Sequence, residues 1–243
     1  MFSVLFEVHP RPERWDSYLA HAKMLKPELE AIDGFVDNIR YRSLTREGWL
    51  LSVSGWRDEK SLVRWRTQVR HHDAQLEGRT TILLDYHLRV GQITRDSRVP
   101  PGQEIREQRL DETEVGDAKC VTLLDRGAMA NGIEGKPPAA VAAALGVDPK
   151  CEGLVEWDAY EAVLTPGDVI AMCSWKSDAA ADAAEAQAGH VEGVRRRRVR
   201  VIRDYGMFDR REAPQYYPDV RSSDRDPLAE PRPTAAVPSI DRR

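Results

Sequence analysis

The sequence lacks the features that mark several large functional classes. Its 243 residues contain three cysteines, Cys120, Cys151 and Cys173, and no CxxC pair, so neither a disulfide scaffold nor a zinc site is expected. No apolar run approaches the roughly 18–20 residues of a membrane span. A net charge of -4 leaves too little positive charge for a DNA-binding face. We therefore expect no membrane, nucleic-acid or metal partner, and a reducing compartment, the cytoplasm.

Signatures of common enzyme classes are also missing. The chain has no P-loop, GxGxxG, GxSxG or HExxH motif, so nucleotide-binding, serine-hydrolase and zinc-protease assignments have no support. The N-terminal MFSVLFEVHP has no basic segment and no cleavage site, and it is predicted to be a strand rather than a signal peptide. With 41% hydrophobic residues the chain can bury a core, and its length suits one large domain or two small ones.

Two segments of the chain match each other over a long stretch. Residues 153–210 align without a gap on residues 34–91. The matched pairs include Gly34/Gly153, Tyr41/Tyr160, Gly48/Gly167, Trp56/Trp175, His71/His190, Asp85/Asp204 and Tyr86/Tyr205. Rare residues at equal long spacings indicate two diverged copies of one unit. We predict a first unit at 1–95, a linker at 96–118, a second unit at 119–211 and a Pro- and Arg-rich, partly disordered tail at 212–243.

Hydrophobic periodicity predicts the elements of one copy. Alternation predicts strands at 2–8, 35–43, 49–56 and 81–90. Helical spacing predicts one helix from Trp15, kinked or broken by Pro27, and a second helix that Gly78 closes. The apolar stripe of the second helix is Leu62, Trp65, Val69 and Leu76. The order β-α-β-β-α-β is a ferredoxin-like unit, whose bare sheet face needs a cover. The predicted fold class is α+β, with two such units in tandem packing their sheets together.

Several segments of the sequence resemble the antibiotic biosynthesis monooxygenase family of the dimeric α+β barrel superfamily. They are GFVDNIRYRSLTREGWLLSVSGWRDEKSLVRWR, HHDAQLEGR, DYHLRV and, near the end, VIRDYGMFDRREAP. The resemblance covers most of residues 1–95 and, more weakly, 119–214. Most members are one copy long and pair, so it implies a dimeric α+β barrel within one chain, and a homodimer of the fused chain is also open. Members include cofactor-independent oxygenases of aromatic polyketides, haem degraders and proteins of no known activity.

Two adjacent histidines compete for the main chemical role. His71 recurs as His190 and falls where many family members carry a helix histidine, and a neutral imidazole there can act as a general base or bind iron. His72 lies on the predicted apolar stripe, so periodicity points it more directly inward. Tyr86, matched by Tyr205, is a candidate hydrogen-bond donor to substrate. The candidate cavity walls are aromatic, and they are Trp56, Trp65, Tyr41, Trp175 and Tyr205.

Two further segments allow more than one interpretation. The second copy has a helix of small residues, SDAAADAAEAQAGH, which either leaves room for an apolar ligand or packs closely on its sheet. The run Arg195–Arg198 is expected to be a solvated turn between helix and strand, with carboxylate binding as the alternative.

Three functions remain open from the sequence. The first is a monooxygenase that oxidises a small planar aromatic substrate in an apolar cavity, with no required cofactor. The second is a haem protein with His71 or His190 as axial ligand. Here Trp65 matches a haem-contacting tryptophan of the haem-degrading branch. However, the first strand has Phe6 and Glu7 in place of that branch's asparagine, and Gln75 stands at its axial-histidine position. The third is a non-catalytic ligand-binding or assembly protein.

Overall fold

Eight strands close into one antiparallel barrel in the order β1-β3-β2-β6-β7-β5-β8-β4. The computed structural model describes residues 1–127 and 135–220. The strands are β1 (Phe2–Pro10), β2 (Phe35–Ser43), β3 (Leu50–Trp56), β4 (Leu83–Asp96), β5 (Cys120–Arg126), β6 (Leu154–Ala162), β7 (Val169–Trp175) and β8 (Arg195–Gly206). A closed barrel pairs every strand on both sides, which removes exposed sheet edges.

Five α-helices lie within the described residues, three in the first half and two in the second. They are α1 (Trp15–Glu30), α2 (Glu59–Arg66), α3 (Val69–Glu77), α4 (Pro138–Ala144) and α5 (Asp178–Ala188). Side chains cap three of them: Asp58 accepts from Ser61 N, Gln68 from His71 N, and Ser177 from Ala180 N. A five-residue π-helical turn, Gly78–Ile82, continues from α3 into β4.

Each half of the chain supplies one four-stranded ferredoxin-like sheet. The first runs β4-β1-β3-β2 and the second β8-β5-β7-β6. The two sheets join edge to edge where Tyr41 of β2 lies opposite Ala162 of β6, and where Leu88 of β4 lies opposite Tyr205 of β8. This confirms the α+β fold class, with two ferredoxin-like units closing an α+β barrel within one chain.

The gapless alignment of the two halves holds for the central strands and fails for the last one. β2 and β6, and β3 and β7, have equal bounds at the predicted offset. Phe2 and Cys120 correspond, because each lies opposite the tryptophan that ends the neighbouring strand, Trp56 or Trp175. On its other side Phe2 lies opposite Gln92, whereas Cys120 lies opposite Arg200. The gapless alignment matches Gln92 with residue 211, so the observed partner comes eleven residues earlier. In the described stretch between α5 and β8 there is no counterpart of α3 and its π-helical turn, so the predicted equivalence of Tyr86 with Tyr205 is wrong.

Helix α1 runs through Pro27 without a break, which corrects the prediction for that residue. Pro27 lies in the last turn, where its missing N–H costs one hydrogen bond, and its carbonyl still accepts from Ala31 N at 3.1 Å. The predicted second helix is instead two helices, α2 and α3, because the chain becomes extended at Gln68. Val69 is therefore 73% exposed. Helix α3 ends at Glu77 with Gly78 as its C-cap, which confirms the predicted end of this helix, and the π-helical turn starts at the same glycine.

The run Arg195–Arg198 begins β8 and is not a solvated turn. Arg197 and Arg198 are buried, and Arg198 pairs with Asp182 and Glu185 of α5. The opposite charges on the neighbouring helix explain why an arginine run can enter a sheet.

Each sheet packs apolar side chains on both faces, one inside the barrel and one under the helices. Leucines and valines such as Leu5, Leu51, Val121 and Val199 fill the barrel interior, and the helices cover the outer faces. Residues 97–119 form no helix or strand but lie along the barrel, where Thr113 N donates to Val201 O at 2.8 Å. Within the described residues, no helix has the length and apolar character that a membrane crossing requires.

Candidate functional site

A cavity of about 240 Å³ lies between the outer face of the first sheet and helices α1 to α3. Even-numbered strand residues form its floor, because alternate side chains of a strand share one face. They are Val4, Phe6, Arg40, Ser52, Ser54, Tyr86, Leu88 and Val90. Apolar residues of α1, with Leu25 and Leu29 among them, form one wall. Such a concave, mainly apolar space suits a small organic molecule.

The charged residues that line this cavity are all basic. Among the described lining residues there are a lysine and four arginines, Lys26, Arg40, Arg66, Arg79 and Arg210, and there is no aspartate or glutamate. The cavity therefore has a positive potential that favours an anionic group on its ligand.

His71 lines the cavity, and the break between α2 and α3 places it there. Gln68 caps α3 and turns its first residues back under Trp65, whose indole stacks on the imidazole with ring centroids 4.1 Å apart. The Nδ1 atom of His71 lies 2.9 Å from the Trp65 carbonyl oxygen. A carbonyl can only accept, so Nδ1 carries the proton and Nε2 keeps its lone pair.

His71 is neutral at physiological pH. Burial lowers the pKa of its imidazole to about 4, more than the bond to the Trp65 carbonyl raises it. The amide Nε2 of Gln75 lies 3.3 Å from the His71 Nε2, and the Gln75 Oε1 accepts from the Tyr217 hydroxyl at 2.6 Å. This chain of contacts holds an unprotonated nitrogen at the cavity wall, where it can accept a proton.

Tyr86 also lines the cavity and is held by two arginines. Its hydroxyl oxygen accepts from Arg79 at 2.7 Å and from Arg210 at 2.6 Å. Arg79 comes from the π-helical turn and Arg210 from the segment that follows β8. Local π-helical geometry is frequent at functional sites, and here it turns a long cationic side chain into the cavity.

The second half of the chain closes this cavity. Tyr205 of β8 lines it, because the antiparallel pairing of β4 with β8 brings it beside Leu88. Burial raises the pKa of Tyr205 to about 12, so its hydroxyl stays protonated. Residues 207–218 then cross the open side and add Arg210, Gln215 and Tyr217 to the lining. The Glu212 carboxylate fixes this closing segment by accepting from Thr113 Oγ1, from Asp204 N and from two further main-chain nitrogens.

The structure brings together four of the residues that the sequence singled out, namely His71, Trp65, Tyr86 and Tyr205. Trp56 and Tyr41 are buried core residues outside the cavity. His72 is exposed and lies near the ring of Tyr217, because the helix break removes the apolar stripe that pointed it inward. His190 is exposed after the end of α5 and lines neither cavity.

Trp175 lies at a second cavity, of about 320 Å³, in the other half of the chain. Small residues of α4 and α5, including Ala143, Ala181 and Ala184, leave this space above the second sheet. Its lining has Cys151 and Cys173 but no histidine or tyrosine among the described residues. The indole of Trp175 donates to Thr122 Oγ1 at 3.1 Å and so has its polar atom satisfied.

Three buried or partly buried ligand-type residues meet inside the barrel. Carboxylate and imidazole atoms of Glu7, His87 and Glu156 lie within 4.8 Å of one another. Arg89 already supplies positive charge there, since it donates to both Glu7 and Glu156. The cluster is thus part of an internal ion-pair network that also includes Arg46 and Asp158.

The surroundings of His71 do not suit an axial haem ligand. Its Nδ1 is bonded to the Trp65 carbonyl, its Nε2 faces the Gln75 amide, and Trp65 covers one face of the ring. An iron ligand would have to displace Gln75 and its bond to Tyr217. The residues around this histidine therefore do not fit a haem iron.

Sequence reasoning missed Arg79, Arg210 and the present role of Gln75. Arg79 sits on a π-helical turn that has no simple sequence pattern, and Arg210 lies at the end of the predicted second unit, just before the predicted tail. Tyr217 lies within that predicted tail and is buried, in keeping with the need of an aromatic ring for a surface to pack on.

Comparison with known proteins agrees with the fold and identifies the family. Residues 1–76 match the family model for antibiotic biosynthesis monooxygenase. A curated protein of Pyricularia oryzae, jasmonate monooxygenase ABM, is 50% identical over 227 residues, which cover 90% of this chain and 99% of that protein. Among solved structures, an aldoxime dehydratase in complex with butyraldoxime superposes with a TM-score of 0.52 at 12% identity, covering 83% of this chain and 79% of that one.

The solved structure shares the fold only, whereas the curated relative is similar over nearly its whole length. The identity, the coverage and the family model together assign both the family and the type of reaction. The chain belongs to the antibiotic biosynthesis monooxygenase family, and it is a monooxygenase-type oxidoreductase.

Proposed function

We propose that this monooxygenase oxidises a small apolar carboxylate, jasmonate or a close analogue, in the cavity of its first half, and that it needs no bound cofactor. The observation that carries the proposal is the cavity itself. It is lined by apolar residues and basic side chains, and the neutral imidazole of His71 forms part of its wall. The relative that matches almost the whole chain is a jasmonate monooxygenase, which supports the same class of substrate.

His71 is the proposed base of the reaction. Its lone pair is on Nε2, which faces the Gln75 amide at 3.3 Å, so Gln75 must give up this long contact when the substrate proton approaches, and Trp65 keeps the ring from turning. A substrate carbon that gives its proton to this nitrogen becomes electron-rich enough to react with dioxygen. Because the pKa of His71 is about 4, the base is weak but remains unprotonated at every physiological pH. The substrate's own structure must therefore make this proton acidic, as in a C–H beside a carbonyl or in the O–H of a phenol, whose phenolate is electron-rich at its ring carbons.

The electrons of the reaction come from one of two sources. A methylene group supplies them itself when it and one dioxygen molecule give a ketone and one water molecule. Hydroxylation of a C–H bond, with the second oxygen atom leaving as water, consumes two electrons and two protons from an external donor such as a reduced nicotinamide. The described residues of the cavity offer a base and hydrogen-bond donors for the first route. An aromatic phenol, the substrate expected from the sequence, enters the same scheme through its ring carbon.

The test is oxygen uptake by the purified chain with jasmonate under isotopically labelled dioxygen, with and without a reduced nicotinamide. Absorption spectra and metal analysis of the same sample accompany the assay. The proposal predicts labelled product without added cofactor and a spectrum with no Soret band. Uptake only after addition of haem or a metal would overturn the cofactor-free mechanism. Absence of product from jasmonate, its analogues and simple phenols would overturn the substrate class.

A further inference from the structure

Two arginines that line the first cavity and meet at the Tyr86 hydroxyl have no carboxylate partner among the residues that the structure describes. Arg79 is 4% exposed, yet it donates only to the Tyr86 hydroxyl and to the main-chain oxygens of Met207 and Pro218. Its Nε has no hydrogen-bond partner in the described chain. Arg210 is half-buried and donates to the Tyr86 hydroxyl and to Gln215 O. A buried charge without a counter-ion is costly.

Other buried arginines of this chain follow the usual rule. Arg46 pairs with Glu7 and Asp158, and Arg89 pairs with Glu7, Glu156 and Asp204. Arg198 pairs with Asp182 and Glu185. The missing counter-ions are therefore a local property of the cavity. An anion that enters the cavity would supply them.

The hydroxyl of Tyr86 adds a third donor to the two guanidinium groups. Its oxygen already accepts from Arg79 and Arg210, which occupies both lone pairs. Its own proton has no acceptor within residues 1–127 and 135–220. Three donors thus converge at one place in the cavity, and a carboxylate has two oxygens with lone pairs to receive them.

Aromatic rings hold the two guanidinium groups without neutralising them. The Cζ of Arg79 lies 5.7 Å from the centre of the Tyr217 ring, and the Cζ of Arg210 lies 5.5 Å from the centres of the Tyr205 and Tyr217 rings. Such contacts position a cation and contribute a modest attraction, yet they leave its full charge available to a ligand.

We propose that Arg79 and Arg210, with Tyr86 between them, bind the carboxylate of the substrate and make the enzyme selective for an apolar acid over its neutral ester. The inference rests on the proposed function for the choice of probe. The remainder of the ligand then extends over the apolar floor between Phe6 and Leu88, toward His71.

A structural role for the same bonds makes a different prediction. Arg79 and Arg210 also tie residues 207–218 to the barrel through main-chain oxygens. If this were their whole contribution, their loss would weaken the binding of an acid and of its ester equally. The ratio of the two affinities is therefore the quantity to measure, because only direct contact with the carboxylate changes it.

The experiment is calorimetric titration of the full-length chain with jasmonate and with methyl jasmonate. The variants are Arg79→Met and Arg210→Met, with Arg79→Lys as a milder change that keeps the charge and the fold. Arg211→Met is the matched control, since Arg211 is exposed, pairs with Asp209 and does not line the cavity. Jasmonate should bind the wild type and Arg211→Met on the order of 10-fold to 100-fold more tightly than the ester, as charged hydrogen bonds suggest.

Each Arg→Met variant should bind the acid and the ester within a few-fold of each other, and Arg79→Lys should keep part of the preference. Should Arg79→Met not fold, Arg210→Met alone decides the matter. Equal affinities in the wild type, or an unchanged ratio in Arg210→Met, would overturn the carboxylate site even if jasmonate is oxidised. A ratio lost in the variants without any turnover would support the site and contradict the proposed function. No binding of either probe would overturn both.

Discussion

The imidazole of His71 lies flat against the indole of Trp65, with their planes 16° apart, and its Nδ1 donates to the Trp65 carbonyl. The six-residue separation of these two residues is possible because the helix is interrupted at Gln68. In a continuous helix His72 would face inward with the apolar stripe, and His71 would face away from the cavity. The break therefore decides which of two adjacent histidines can serve as the base.

Replacement of His71 should separate the two histidines functionally. His71 and His21 are the two histidines among the described lining residues of the cavity. His71→Ala removes the proposed base, and we expect turnover to fall about 100-fold to 10,000-fold. His72→Ala is the matched control, because His72 is exposed and does not line the cavity, and it should change turnover less than about two-fold. Steady-state oxygen uptake measures both. A full rate in His71→Ala would remove it as the base.

The buried imidazole should also make stability depend on pH. The pKa of His71 is lowered to about 4 from an unfolded value of 6.5, so the unfolded chain binds a proton first as pH falls. Above pH 6.5 the group contributes no pH dependence, and between 6.5 and 4 it destabilises the fold progressively. At about pH 4.5 this loss is about 2.5 kcal/mol.

Urea unfolding of the wild type and of His71→Asn at about pH 7.5 and about pH 4.5 measures this loss. The wild type should lose about 2.5 kcal/mol more than the variant on acidification. Parallel losses in the two proteins would show that the ring of His71 is protonated normally in the folded state.

Filling each cavity in turn should show which half of the chain is active. Ala74 of α3 lines the first cavity and Ala184 of α5 lines the second. Ala74→Leu should weaken binding of jasmonate by more than about 10-fold, because a larger side chain occupies ligand space. Ala184→Leu makes the same change in the other cavity and should leave binding unchanged. The reverse pattern would move the active site to the second half.

The anchor of the closing segment should influence substrate affinity more than chemistry. Glu212 accepts from Thr113 Oγ1 and from three main-chain nitrogens, and these bonds hold the pKa of its carboxyl below the usual value. Glu212→Ala should raise KM by about three-fold to ten-fold with little change in kcat, because hydrogen bonds to a charged group contribute roughly 1.5–3 kcal/mol. Glu112→Ala, an exposed neighbour, is the control. An effect on kcat alone would show that this segment takes part in the chemistry instead.

Much of the fold could be predicted from the sequence because the strands alternate cleanly. The bounds of β2 were predicted without error, and those of β3 to within one residue. The extent of the repeat could not be predicted, since Asp85-Tyr86 and Asp204-Tyr205 match in sequence yet lie at different registers. The stretch from Trp175 to Arg200 is eleven residues shorter than the equivalent stretch from Trp56 to Gln92, and the match of the two Asp-Tyr pairs hides this difference.

The site could be predicted only where it rests on local patterns. His71 was found from the repeat and the family resemblance, Trp65 from the helical stripe and the same resemblance, and Tyr86 from its place on a predicted strand. Arg79 and Arg210 were not, because their role depends on the absence of carboxylates around them, which is a property of the folded cavity. The Pro-rich region after Glu212 has the composition of a disordered tail, yet four hydrogen bonds to one carboxylate and a buried Tyr217 hold its first residues in place.

The central claim is that substrate binds between the first sheet and helices α1 to α3, and a crystal structure of the chain with bound jasmonate tests it most directly. The account predicts the ligand in the first cavity, with its carboxylate at Arg79 and Arg210 and its far end near His71. Electron density for jasmonate in the second cavity, or inside the barrel beside Glu7 and His87, would contradict it.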